Sequence, residues 1–168
     1  LQVVGWNKWR GLSVVEVKTG PPDRLWYGAK PKIVGQVCGV AAQEAIPKIL
    51  KAAQSYPYPH EYRIWPGPNS NTFISHILRR VPELPMTLPA TAIGKDYLTE
   101  ESFWATFPDE RGVTVSFLGL LGFSFGPGTQ GNINILGASF GMDLETPALQ
   151  VPFIGRIGME KATCLEES

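Results

Sequence analysis

Apolar positions recur with two different periods along this chain, and the change of period divides it. From Ala41 to Ser55 they fall at Ala42, Ala45, Ile46, Ile49, Leu50 and Ala53. That is the spacing of one buried helix face, with Gln43, Glu44, Lys48 and Lys51 on the other side. Pro47 lies inside this helix, where it removes one backbone bond and predicts a kink. A second helix is predicted over Asn71–Val81, with Phe73, Ile74, Ile77, Leu78 and Val81 as its apolar face. Arg79 and Arg80 in its last turn suit the helix dipole, and Pro82, Pro85 and Pro89 forbid continuation. From Gly112 the period becomes two. Val113, Val115 and Phe117 alternate with Thr114 and Ser116, and Ile133 and Ile135 alternate with Asn132 and Asn134.

Shorter strands are predicted at Gln2–Trp6, Leu12–Lys18, Ile33–Cys38 and Glu61–Trp65, and a helical turn at Glu100–Trp104. The string GPGTQGN has the glycines of a hairpin loop. LGFSFG at Leu121–Gly126 and LGASFG at Leu136–Gly141 read as two related hairpin strands, since a solenoid needs at least three copies. The pattern predicts an α+β fold: an antiparallel sheet, two main helices on one face, and a glycine-rich C-terminal β-hairpin. We read residues 1–159 as a single domain and 160–168 as a flexible tail.

Composition refines this picture. Eighteen glycines and 15 prolines in 168 residues mark a turn-rich chain that can still fold. Fifteen basic residues balance 15 acidic ones, so there is no global positive field to attract nucleic acid. The aromatic and basic N-terminal region (Trp6, Lys8, Trp9, Arg10, Arg24, Trp26, Tyr27, Lys30, Lys32) reads as amphipathic packing on a neutral protein. No apolar run is long enough for a membrane-spanning helix. Cys38 and Cys164 match no metal or CxxC spacing, and no cofactor is implied. The chain begins with Leu1 and soon reads as structure, so we read its start as trimmed. A periplasmic or membrane-associated location is expected if a targeting segment preceded it, and a cytoplasmic one otherwise.

The most informative string is WPGPNSNTF, Trp65–Phe73, which sets a strand, a proline-fixed loop and a helix start in succession. The first turn of a helix offers free amides and a positive dipole end, which favours a developing oxyanion. Ser70 is the candidate nucleophile there, with His60 as base and the amides of Ser70, Asn71 and Thr72 as oxyanion donors. Trp65 and Asn69 would line the pocket. The competing reading is that Asn69, Ser70 or Asn71 simply caps the helix. His76 lies six residues beyond Ser70, points away from it, and reads as a helix histidine packed against Arg79 or solvent. In TAIGKDY, Lys95 offers a Ser–Lys pair and Asp96 a group to orient a histidine. The alternative is a surface turn with a local charge pair.

YPYPHEYRIWPGPNSNTFISHILRRVPEL and LPATAIGKDYL resemble an uncharacterised bacterial family, the domain-of-unknown-function family numbered 3750. GLLGFSFG and INILGASFGMD also fit it, so the resemblance runs from about Val3 to Met159. That family brings no activity with it. More weakly, NSNTF resembles the N-C-x-x-F helix start of permuted papain-like enzymes, the lecithin-retinol-acyltransferase-like and NlpC-type hydrolases. That second resemblance implies a permuted papain-like fold and a hydrolase or acyltransferase of the cell envelope. It would act on amide or ester bonds of a small-molecule or peptide substrate. Ser70 would stand where those enzymes carry Cys, and no His of this chain matches their base position, which leaves His60 as the fallback.

Overall fold

A computed structural model describes residues 1–21, 25, 28–31, 33, 36–84, 86, 88, 92–98, 104–106, 112–117, 120–126, 131–136, 138–143, 147–151 and 154–159. The chain opens with a two-stranded antiparallel ribbon, β1 (Gln2–Val3) and β2 (Val15–Glu16), joined through a 3-10 turn at Gly5–Arg10. Side chains close this ribbon. Asn7 Nδ2 donates to Ser13 O and to Glu16 Oε1, at 3.0 and 2.9 Å, and Gln2 Nε2 donates to Glu16 Oε2 at 2.7 Å. Lys18 adds an ion pair. Together these donors hold the Glu16 carboxyl at about 2, well below its usual 4.5.

Helix α1 runs from Gly39 to Gln54 and α2 from Ser70 to Arg80. They pack on each other, and α2 also packs on β1. The core lies at this junction: Ala45, Ala52, Ala53, Tyr56, Phe73, Ile77 and Val81 are buried together. The buried face of α1 follows the expected stripe at Ala45, Ile49 and Ala53, but Ile46 and Leu50 are exposed and Ala52 is buried in their place. Small residues let α2 approach closely, and Phe73 supplies the volume; burying such a side chain contributes ~2–3 kcal/mol. Pro47 sits on the exposed side of α1, where the carbonyl that it leaves unbonded meets water.

The second half is a seven-stranded antiparallel meander: β3 (Trp104–Thr106), β4 (Val113–Phe117), β5 (Leu121–Phe125), β6 (Asn132–Ile135), β7 (Ala138–Asp143), β8 (Ala148–Val151) and β9 (Gly155–Gly158). Each strand pairs with the next in sequence. The fold class is α+β. One part of the expected layout is corrected. Among the described residues the helices pack on each other and on the N-terminal ribbon, and not on the face of a central sheet. The C-terminal hairpin is two strands of this larger sheet. The LGFSFG and LGASFG strands lie either side of β6.

Local expectations also shift. Leu12–Lys18 contributes only Val15–Glu16 to a strand, and Trp6 belongs to the 3-10 turn. Glu61–Trp65 is no strand; Arg63 N donates to Pro68 O at 2.8 Å, so the segment folds back on its own loop and has no ladder partner. The described positions of Ile33–Cys38 are not in a strand. Trp104 opens β3, while residues 100–103, most of the GPGTQGN loop, Cys164 and the 160–168 tail lie outside the described residues. No helix among the described residues is long and apolar enough to cross a membrane.

Candidate functional site at the entrance to helix α2

Asn69, not Ser70, caps α2. Its backbone is extended, and Oδ1 accepts from the amides of Asn71 at 2.9 Å and Thr72 at 3.1 Å. Thr72 Oγ1 accepts from Asn69 N at 3.1 Å, which completes a capping box with threonine where glutamate is usual. The Phe73 amide donates to Asn69 O at 3.1 Å. So the first-turn amides of Asn71 and Thr72, expected as oxyanion donors, already have an internal acceptor.

The same residues bind the second string singled out above. Asn69 Nδ2 donates to Ile64 O and Ile93 O, both at 3.0 Å. Asn71 Nδ2 donates to Ile93 O at 2.9 Å, and Thr72 Oγ1 to Gly94 O at 2.8 Å. Arg79 Nη2 donates to Lys95 O at 3.0 Å. WPGPNSNTF and AIGKDY are therefore one clasp, built around a fully bonded Asn69. Gly94 is required there: its φ is +89°, and a Cβ would collide with the Asn69 amide.

Lys95 and Asp96 are not on a surface turn. They are only 8% and 7% exposed, and Nζ lies 3.0 and 2.9 Å from the two carboxylate oxygens. Ser70 is half-buried at the first helical position, and its hydroxyl makes no hydrogen bond among the described residues. Trp65 is half-exposed, and its Nε1 donates to Leu136 O, between β6 and β7, at 3.4 Å. Ile64, at 81% exposure, and Ile93 are exposed too, and their carbonyls meet at the Asn69 amide, so the three residues mark an apolar lip at the clasp.

The two histidines are placed differently. His60 is exposed, and no hydrogen bond joins it to Ser70 among the described residues. His76 is fully buried between the helices. Its Nε2–H donates to Ala52 O at 3.1 Å, beside Ser55 Oγ at 3.3 Å, and Nδ1 accepts from Arg80 Nη1 at 3.0 Å. A carbonyl accepts only and a guanidinium donates only, so the partners assign the neutral Nε2–H tautomer. His76 thus staples α2 to the end of α1 through the Ala52 carbonyl, while Arg80, one residue beyond the expected Arg79, holds the other ring nitrogen from within α2. The cue present in sequence is the i, i+4 spacing of His76 and Arg80.

Aromatic rings connect clasp and core. Tyr97 meets Tyr58 edge-on, Tyr58 meets Tyr56, and Tyr56 meets both Phe73 and His76 at 5.1 and 5.3 Å between centroids. Burial pushes the Tyr56 phenol above its usual range. YPYPH is therefore core as well as turn. Among the described residues no cluster of three His, Cys, Asp or Glu side chains is placed to hold a metal.

No curated protein and no solved structure matches the chain. One family model does, over residues 1–97, and it spans the ribbon, both helices and the whole clasp, while the seven-stranded sheet falls outside it. The chain belongs to that family, described as proteins of unknown function (DUF3750).

Proposed function

We propose that this chain is a non-catalytic binding module, with the clasp as a rigid base and the Ile64–Trp65–Ile93 lip as its contact surface. The observation that supports this most is where the chemical resources of the clasp are spent. The Asn71 and Thr72 amides serve Asn69, Lys95 serves Asp96, and both ring nitrogens of His76 serve the helix junction. An acyl-transfer site needs some of these groups turned toward a substrate.

One observation favours a second reading, a hydrolase or acyltransferase with Ser70 as nucleophile and His60 as base. The Ser70 hydroxyl stands in the first turn of α2 without an intramolecular hydrogen bond among the described residues. A fluorophosphonate probe separates the two. The binding-module reading expects no labelling of the folded protein. Labelling that disappears in Ser70→Ala would replace it with the hydrolase reading.

A further inference from the structure

The seven-stranded sheet is inverted relative to its surroundings. On one face, Thr114, Ser124, Asn132, Gly141 and Gln150 lie opposite one another across five strands. The four with side chains are buried. Thr114 Oγ1 donates to Ser124 Oγ at 3.0 Å, and the Asn132 side chain fills the space above Gly141 that any Cβ would occupy. On the other face, Val115, Phe123, Ile133 and Phe140 form one cross-strand row, which continues through Met142 and Leu149. All six are about half exposed. The described outward positions of β4 to β9 carry no charged residue. An uninterrupted apolar face of this extent marks an interaction surface.

We propose that this face pairs with the same face of a second copy, so that two meanders stack as a β-sandwich across a two-fold axis. Three features of the sheet select this occupant. Its area is sufficient. Phe117, Leu121, Phe125, Ile135 and Ile157 widen the face and are also about half exposed, so at roughly 150–250 Å² for a large side chain it offers on the order of 1,000 Å² per copy. A standard stable interface needs about 800 Å² per partner. The face is also self-complementary, since a surface without charge needs no opposite charge on its partner and meets its own copy without repulsion. Finally, the strands argue against a bilayer. Among the described residues no strand exceeds six residues, whereas a spanning strand needs about 9–11. Among the described residues β3 and β9 each pair on one side only, which leaves edges that hydrocarbon would not satisfy. The helices, among the described residues, pack on each other and on the ribbon, and the face keeps its exposure.

This inference goes beyond the binding-module reading and does not depend on the lip. Sedimentation velocity of the whole chain over a wide concentration range tests it. The expected result is a dimer that becomes monomeric in the Phe123→Lys, Ile133→Lys double variant. Retained helical circular dichroism would show that the ribbon and helices remain folded. A wild-type chain that stays monomeric overturns the proposal, as does a dimer that survives the double variant. Sedimentation with phosphatidylcholine vesicles in place of self-association also overturns it.

A second measurement avoids a folding defect. Ile133→Cys in a background lacking Cys38 and Cys164 should cross-link between copies through a bismaleimide matching the ~10 Å spacing of stacked sheets. Leu50→Cys on exposed α1 should not. Equal cross-linking at the two positions would count against the sandwich.

Discussion

At the residue scale, Asn69 carries most of the candidate site. Four of its polar contacts are internal, and its amide donates to two carbonyls from different loops. Asn69→Ala removes the cap, worth about 0.5–2 kcal/mol, and strips the Ile64 and Ile93 carbonyls of a donor. We expect a loss of about 2–4 kcal/mol in urea unfolding, with Ser70→Ala within about 0.5 kcal/mol of wild type. Gly94→Ala should cost at least ~2 kcal/mol, since both its positive φ and its contact with Asn69 forbid a Cβ. Glu16 gives a pH signature. Its carboxyl is depressed from 4.5 to about 2, so its contribution is complete above about pH 4.5 and is lost as pH falls toward 2. Thermal midpoints should drop across that window, and Glu16→Gln should flatten the drop. The composition of the clasp was legible in sequence, since both of its strings stood out there. Its assignments were not. Asn, Ser and Asn in succession are all good caps, and only the carbonyls of Ile64 and Ile93 select Asn69.

At the element scale, the two helices were legible to within two residues at their N-termini. Periodicity reports amphipathicity, however, and not which neighbour covers each face. Ile46 and Leu50 fit the expected stripe of α1 but face solvent, because α2 packs on the smaller Ala45, Ala52 and Ala53. The junction also carries a buried polar staple that apolar patterns do not reveal. His76→Leu preserves approximate volume but leaves Ala52 O and the Arg80 guanidinium without their ring partner. We expect a loss of about 2–4 kcal/mol, and a smaller one for Arg80→Met, read as shifts in the urea midpoint. The strands show the same limit. Alternation located β4 and β6 correctly, yet two-fold periodicity is symmetric between faces and gives no sign of which one meets water.

At the scale of the whole molecule, the chain has two differently built halves. The family match covers the ribbon, the helices and the clasp, and the apolar sheet follows it in sequence. Pairing of this kind leaves little trace in a single sequence, because a meander is written only as short alternating runs between glycines. The central claim is that the clasp at the α2 entrance is closed on itself. Hydrogen exchange of the Asn71 and Thr72 amides, resolved by NMR, tests it most directly. The account predicts exchange slowed by on the order of a hundredfold or more, with protection lost first in Asn69→Ala. Exchange of both amides at the rate of an unfolded chain would contradict it and return them to the role of oxyanion donors beside Ser70.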